Sequence, residues 1–357
     1  MHCGYLFVLR QGKKQIMLID KYRTIFKNDE KWKYYSQIHF PNNPFDDKNI
    51  ADKFIIEYFK NGNKQNVLDT NFPKDKDRDI HTISTFFLGI LLKPFCNIHE
   101  LKPDFRYLWF IACLYHDYGY HIEKDKTKYT PKNSSIKNLL RILKIKNNFL
   151  TLEYYKGEKL ETITKYYDFC RKEYCFINHG IIGGLMLYDR LKKNYIDNKN
   201  KAKREGIKVE NDDFIYNELH WSLKHDVFYR EIADAIISHN IWYAYSEKDK
   251  SLYESYQIKS LSIQNKSERV SLNSNPFLFL LLLADTIEPI KSFNQISYDC
   301  LLEKIDIEII EGSKILISVN DNCLNYKVWF SKILDLENWM SLKISNNEEK
   351  KLLIEIE

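Results

Sequence analysis

Histidine and carboxylate residues recur inside or beside apolar segments in the middle of this 357-residue chain. The segment FIACLYHD, for example, ends in His116 and Asp117. A single such histidine is usually an ordinary core or surface residue, but a buried aspartate needs a partner or a metal. Imidazole and carboxylate together suit Mn, Fe, Zn or Ni rather than Ca or Mg alone, so the recurrence favours transition-metal binding. The candidate ligands are His81, His116, Asp117, His179, His239 and Asp285.

Six ligands exceed what one ion can use while it keeps a position open for substrate. Two divalent ions bridged by a carboxylate fit the set better, and they would be Mn, Fe, Ni or Zn, with Mg as an alternative. Such a centre lowers the pKa of water and polarises a phosphoryl oxygen, which favours hydrolysis of a phosphoester. The residue types therefore predict a dinuclear centre for phosphoester hydrolysis.

The surrounding patterns predict helices that would position these ligands. Pro103 and Asp104 are typical of a helix start, and the apolar positions that follow continue to His116 and Asp117. Asn275 and Pro276 are typical N-cap and first-turn residues before the apolar segment that ends at Asp285. Around His81, the periodic residues are Ile80, Ile83, Phe87 and Ile90, and Lys93-Pro94 ends the pattern. His179 is expected to open another apolar helix, and His239 to continue the stripe of a further one.

The period of the pattern divides the chain into three parts. Residues 1–72 show a mixed pattern of short apolar stretches, and 73–297 are dominated by patterns of apolar helices. In 298–357, two stretches of alternating apolar and polar residues, typical of strands, flank a helical pattern. The last part predicts a small ββαββ unit, with hairpins at Glu311-Gly312-Ser313 and Asn346-Asn347. We therefore expect a mostly α protein with a small C-terminal α+β region.

Composition excludes several classes of protein. The net charge of +5 is too mild to imply nucleic acid by itself, and the basic segments lack the interleaved aromatic residues that stack bases. Seven scattered cysteines form no C-x-x-C pair, so neither a disulfide framework nor a zinc knuckle is expected. The longest apolar run, 277–284, is far shorter than the roughly 20 residues that span a bilayer. We expect a cytoplasmic protein without a membrane partner.

Two basic segments interrupt the apolar helices. Residues 124–146 hold eight basic and one acidic side chain, and 192–208 hold seven basic and two acidic. Solvated loops are the first interpretation, and a positive rim that attracts an anionic ligand is the alternative. Lys124, Arg78 and His121 are the candidate substrate-binding residues, although each is also typical of an ordinary surface.

Five segments resemble one family when taken in order. HTISTFFLG, LYHDYGYHIE, NHGIIGG, IISHN and NPFLFLLLLADTIE resemble a bacterial group of HD-domain proteins within the HD superfamily of metal-dependent phosphohydrolases. The resemblance covers about 73–297 and implies an all-α HD core. It also implies that His81, His116, Asp117 and Asp285 hold one metal, and that Asp117 bridges to a second metal held by His179 and His239. Asp117 and His116 would then serve catalysis.

The chain departs from the family pattern at two positions. His121 stands where the family has proline, which affects the shape of the loop after His116. Asn178 stands where the family has aspartate, so the carboxylate expected to orient His179 is absent from that position.

Three functions remain open at the level of sequence. The first is hydrolysis of a phosphorylated small molecule, favouring a nucleotide, a cyclic nucleotide or a related phosphoester, with nucleic acid less favoured. The second is oxidation by a mixed-valent di-iron centre on the same scaffold. The third is a non-enzymatic, metal-stabilised sensing or partner-binding module.

Overall fold

The computed structural model describes most of the chain after residue 104 and little before it. The described residues are 8–9, 16–17, 81–82, 85–86, 88–89, 92, 105–124, 135–148, 158–216, 219–223, 225–293, 296, 304–310, 314–321 and 325–357.

The described residues form two compact units. One consists of those in 101–268, and the other consists of those in 269–357 together with those in 1–39 and 52–100. These boundaries differ from the predicted segments 1–72, 73–297 and 298–357, whose status as domains stays a prediction.

The unit within 101–268 is built from helices. The longest described helix, α5, packs along α6. Helix α1 contacts both α5 and α6, and α2 contacts α5. Buried aliphatic and aromatic side chains of α3, α4, α5 and α6 form its main core. The bounds are α1 Phe105–Tyr115, α2 Tyr120–Lys124, α3 Ile136–Ile142, α4 Glu158–Tyr174, α5 His179–Arg204, α6 His225–Ser238 and α7 Glu247–Ser255.

The basic segment 192–208 is helical for most of its length, so its interpretation as a solvated loop is wrong. Helix α5 runs through it to Arg204, since residues 185–205 contain neither glycine nor proline, the residues least favourable to a helix. Gly206 adopts a φ of +76°, and the N–H groups of Gly206 and Ile207 bond back to carbonyls of the last turn. This arrangement is a glycine-terminated C-cap.

A short β-hairpin interrupts this helical unit, so the expectation of an all-α core is wrong in one place. Strands β3 (Asp213–Tyr216) and β4 (Leu219–Ser222) pair antiparallel. Phe214 and Tyr216 pack with Tyr195 of α5 in a small separate core. The strands have four residues each, too few for a period of two to stand out in the sequence.

The other unit contains the predicted ββαββ region. Its antiparallel sheet has the order β5-β6-β8-β7, and a helix follows the first hairpin. The first predicted turn, 311–313, lies outside the described residues. The strands and helix are β5 Ile305–Ile310, β6 Lys314–Val319, α9 Lys327–Asp335, β7 Leu342–Glu348 and β8 Lys351–Ile356, and a further two-stranded pair has β1 Val8–Leu9 and β2 Ile16–Met17.

The second predicted turn is displaced by a few residues. The turn lies at Glu349 and Lys350, where Lys350 adopts a left-handed φ of +65°. Asn346 and Asn347 lie within β7, at an irregularity of its register with β8. Asparagine favours both turns and bulges, so the Asn-Asn pair marked the hairpin but not its turn.

Two further helical stretches belong to this second unit. Helix α8, Pro276–Ile287, begins at the predicted proline, although Asn275 makes no side-chain capping bond. The described positions between 81 and 92 are all helical, and His81 is buried among them. The predicted periodic residues Ile80, Ile83, Phe87 and Ile90, and Lys93-Pro94, lie outside the described part. None of the described helices combines the length and the hydrophobicity needed to cross a bilayer.

Candidate metal centre

Four of the six predicted ligands come together within the helical unit. Ligand atoms of Asp117, His179 and His239 all lie within 4.8 Å of one another. The Oδ1 atom of Asp117 is 3.4 Å from Nε2 of His116 and 3.7 Å from Nε2 of His179. The ring of His239 lies 5.4 Å, centre to centre, from the rings of both His116 and His179. We call these four residues the HD cluster.

The spacing of the HD cluster fits metal coordination. Bonds of about 2.0–2.2 Å from one ion to nitrogen and oxygen ligands place neighbouring ligand atoms roughly 3–3.6 Å apart. The two distances from Asp117 are close to that range, and its carboxylate lies between two imidazoles. The donor set of nitrogen and carboxylate oxygen is one that transition metals prefer.

Hydrogen bonds to carbonyl oxygens orient two of the three imidazoles of the HD cluster. Nδ1 of His116 is 2.6 Å from the carbonyl oxygen of Cys113, and Nδ1 of His239 is 2.6 Å from that of Ile236. A carbonyl oxygen only accepts, so Nδ1 donates, and in the neutral imidazole the lone pair is then on Nε2. For His116 this is the nitrogen that lies 3.4 Å from Asp117, and a neutral imidazole with Nδ1 as donor is the tautomer that binds a metal through Nε2.

Helix ends present the HD cluster. Helix α1 ends at Tyr115, and the next residues form a turn in which the N–H of His116 still donates to Ala112. His179 is the first residue of α5, and His239 follows the last residue of α6, where its N–H donates to Ala235. The predictions that His116 and Asp117 lie at the end of an apolar helix and that His179 opens another are confirmed. His239, which was expected to continue the stripe of a helix, directly follows the last residue of that helix.

Glycines allow these helix ends to approach closely. A Cβ atom on Gly119 would overlap the carbonyl oxygen of His179 and lie 2.8 Å from its Cα. A Cβ atom on Gly184 would overlap the carbonyl oxygen of Ala233 in α6. Real Cβ atoms do not approach this closely, so only glycine fits at these contacts. The first contact places the turn that carries Asp117 against the start of α5.

The carboxylate that orients His179 comes from Glu123. Its Oε2 atom lies 2.7 Å from Nδ1 of His179 and accepts the backbone N–H of the same residue at 3.1 Å. Asn178, where the family has aspartate, instead caps α5 by accepting the N–H of Ile181 at 3.0 Å. Glu123 thus supplies the orienting carboxylate that the sequence comparison had found missing.

Two more residues that the sequence did not single out contact His179. The ring of Tyr120 stacks on the imidazole at 3.6 Å between centres, with 19° between the planes. The side-chain nitrogen of Asn240 lies 3.3 Å from Nδ1. Both residues lie within segments that carry the family resemblance, LYHDYGYHIE and IISHN, but neither was assigned a role there.

The remaining predicted ligands, His81 and Asp285, pair in the other unit. Nε2 of His81 is 2.9 Å from Oδ1 of Asp285, and Nδ1 is 2.7 Å from Oε2 of Glu288. Lys291 adds a third contact, 2.6 Å from Oδ1 of Asp285. Glu288 is fully buried and was not predicted, although it ends the quoted segment NPFLFLLLLADTIE.

The two carboxylates make His81 a stronger base. Burial by itself lowers the pKa of His81, but hydrogen bonds to Asp285 and Glu288 outweigh it and raise the pKa from 6.5 to about 9. The protein without metal therefore carries a protonated His81 at neutral pH, and a metal at Nε2 would have to displace that proton.

The predicted substrate-binding residues are not tested by the structure. Arg78 lies outside the described residues. His121 and Lys124 belong to α2 by their backbone, and their roles stay predictions.

Comparison with known proteins finds no match to a family model, to a curated protein or to a solved structure. The resemblance to the HD superfamily therefore rests on the five sequence segments.

Proposed function

We propose that the chain is a metal-dependent phosphohydrolase with an HD-type core. The observation that supports this most strongly is the HD cluster, in which three imidazoles converge on the carboxylate of Asp117. A purely structural role for Asp117 does not require three histidines that are each oriented through Nδ1.

The proposed metals are divalent transition ions, with two per chain expected from the six predicted ligands. When bound, they supply Lewis acidity and activate water for attack on phosphorus. Within the HD cluster, Asp117 would hold metal as a bridging ligand, and His116, His179 and His239 would supply Nε2. Glu123 and the carbonyl oxygens of Cys113 and Ile236 would keep the three rings in place.

The proposed substrate is a phosphorylated small molecule such as a nucleotide, a cyclic nucleotide or a related phosphoester. A cluster of imidazole and carboxylate ligands supports phosphoester hydrolysis as the reaction class. Identification of the substrate within that class requires a screen.

The first experiment measures metal content by elemental analysis on protein purified without chelator. Wild type is compared with Asp117→Asn and His179→Ala, and His225→Ala serves as the control because His225 opens α6 away from the HD cluster. We expect about two Mn, Fe, Ni or Zn per chain in wild type and the control. The two cluster variants should lose metal while circular dichroism shows unchanged helix.

A second measurement tests the reaction itself. Wild type loaded with each metal is assayed with bis-p-nitrophenyl phosphate and p-nitrophenyl phosphate, followed by a nucleotide set. Asp117→Asn should reduce turnover by more than the 10–100-fold that is typical of losing a residue that only supports a ligand. Wild type that binds no metal after reconstitution, or an Asp117→Asn variant as active as wild type, would refute the proposal.

A further inference from the structure

Helices α3 and α4 border a cleft that lies apart from the HD cluster. The cleft has a volume of about 930 Å³, and none of its described lining residues belongs to the HD cluster or to the groups that orient it. This volume is within the range of about 300–1,000 Å³ that is typical of small-molecule sites. We call it the α3–α4 cleft.

The floor of the α3–α4 cleft is aliphatic. Ile136, Leu140 and Ile145 are buried members of the main core, and Leu160 packs against that core from α4. The described lining contains no aromatic ring. Such a floor offers an apolar surface to a hydrocarbon chain, but it offers no platform on which a nucleobase could stack.

The rim of the α3–α4 cleft is basic on the side of α3. Lys137, Arg141, Lys144 and Lys146 line it and are exposed. In the described part of the chain, none of these four side chains pairs with a carboxylate. Arg141 donates to the side-chain oxygen of Asn138 at 2.8 Å, which is a neutral partner.

The acidic residues of the opposite side are already paired. Glu161 forms an ion pair with Lys165, and Asp168 lies 3.8 Å from Arg171, both within α4. The local excess charge of the α3–α4 cleft is therefore positive. An anionic group at the rim would gain hydrogen bonds and ion pairs from lysine and arginine.

We propose that the α3–α4 cleft binds a small amphiphilic anion. Its aliphatic chain would lie on the floor formed by Ile136, Leu140 and Leu160, and its carboxylate or phosphate would lie at the rim near Lys137 and Arg141. The described part of the second half of the basic segment, 135–146, thereby gains a specific role as part of a ligand site. This site does not depend on bound metal or on the proposed phosphohydrolase activity.

The test is calorimetric titration of the full-length chain with decyl phosphate and with decanoate, both below their micellar concentrations. Inorganic phosphate and decyl maltoside are titrated in parallel, since they carry only an anionic head or only the aliphatic chain on a neutral head. We expect one saturable site for the amphiphilic anions, and binding at least tenfold weaker for both partial probes. The stronger of the two anions identifies phosphate or carboxylate as the preferred head group.

Variants separate the rim from the floor. Lys137→Ala/Arg141→Ala should weaken binding about tenfold, whereas the control Lys201→Ala/Arg204→Ala removes the same charges from exposed positions of α5 and should leave it unchanged. Thr164→Trp fills the cleft from α4 and should abolish binding of both anions. Glu161→Gln removes a negative charge from the wall and should strengthen binding severalfold.

Three results would overturn the proposal. They are the absence of saturable binding to wild type, equal weakening by the rim variant and its α5 control, and unchanged binding by Thr164→Trp. Thermal melts of each variant confirm that it is folded, and because the rim residues are exposed, loss of binding in that variant reports on the site.

Discussion

The two units hold their predicted histidine ligands with different kinds of acceptor. In the helical unit, His116 and His239 each donate to a carbonyl oxygen three residues earlier in the chain. In the other unit, His81 is held by Glu288, which is 207 residues away in sequence, and by Asp285 at its other nitrogen.

The type of acceptor decides whether a histidine ring is only oriented or is also stabilised in its protonated form. A carbonyl at the end of a helix fixes the plane of a ring without adding a negative charge. Two carboxylates also fix the ring, but they stabilise its protonated form, as the raised pKa of His81 shows. His179 is intermediate, because one carboxylate, Glu123, holds its Nδ1. The helical unit thus orients two of its rings without added charge and brings the helix ends that carry its ligands together through close glycine contacts, whereas His81 is held by charge.

The largest expected effect tests close packing in the helical unit. Gly119→Ala places a Cβ atom on the backbone of His179, and we expect it to destabilise the protein by about 3 kcal/mol or more, at or above the upper end of typical overpacking costs. Urea unfolding measures the loss. Gly206→Ala is the control, because no atom lies within 4 Å of its Cβ position, and its left-handed backbone should cost only about 1–2 kcal/mol. Equal losses in the two variants would show that the turn is not pressed against α5.

The next effect tests electrostatics in the other unit and concerns pH. The folded pKa of His81, about 9, exceeds its ordinary value of 6.5. In metal-free protein, the pairing of protonated His81 with Asp285 and Glu288 stabilises the folded state. This stabilisation is fully present below pH 6.5 and is lost as pH rises through 9. It amounts to about 3 kcal/mol at most. Urea unfolding of chelator-treated protein between pH 6 and pH 10 measures this loss.

The matched variant for this prediction is Glu288→Gln, which removes one of the two carboxylates. We expect its stability to depend less on pH than that of wild type over the same range, since the pKa of His81 should fall towards 6.5. Identical pH profiles for wild type and Glu288→Gln would contradict the role given to Glu288.

The smallest effect concerns the intermediate case, His179. Glu123→Gln retains the size of the side chain but removes its charge, and we expect metal affinity to fall about 10–100-fold. Competition with a chromogenic chelator measures the affinity, and Glu158→Gln, at an exposed position in the first turn of α4, is the control. Asn178→Asp should change little, because Glu123 already orients the ring. If metal affinity depended on residue 178 and not on Glu123, the assignment of Glu123 as the residue that orients His179 would be wrong.

Local patterns account for the parts of the structure that the sequence predicted. The apolar run before His116 ends where α1 ends, and α8 begins at Pro276, so ligands beside these helix ends could be predicted. The alternation in 304–319 likewise predicted β5 and β6. Each of these features depends on neighbours within one or two turns of chain.

Contacts between distant segments account for the parts that were not predicted. Glu123 and Glu288 lie 56 and 207 residues from the histidines they hold, and no local pattern distinguishes them from surface glutamates. The segment 192–208 was misjudged for a related reason. Its lysines suggested solvent, but Lys192 and Lys199 pair with Asp226 and Asp212, which lie later in the chain.

The close contacts at Gly119 and Gly184 restrict how this chain can diverge during evolution. Apolar helix residues can be exchanged for others of similar volume, but these two positions accept no side chain. A homologue that retains the HD cluster should therefore retain the pattern H-D-x-G-x-x-x-E, which covers 116–123, together with H-x-x-x-x-G, which covers 179–184. These two short signatures, which include Glu123, would identify distant relatives more reliably than overall sequence identity.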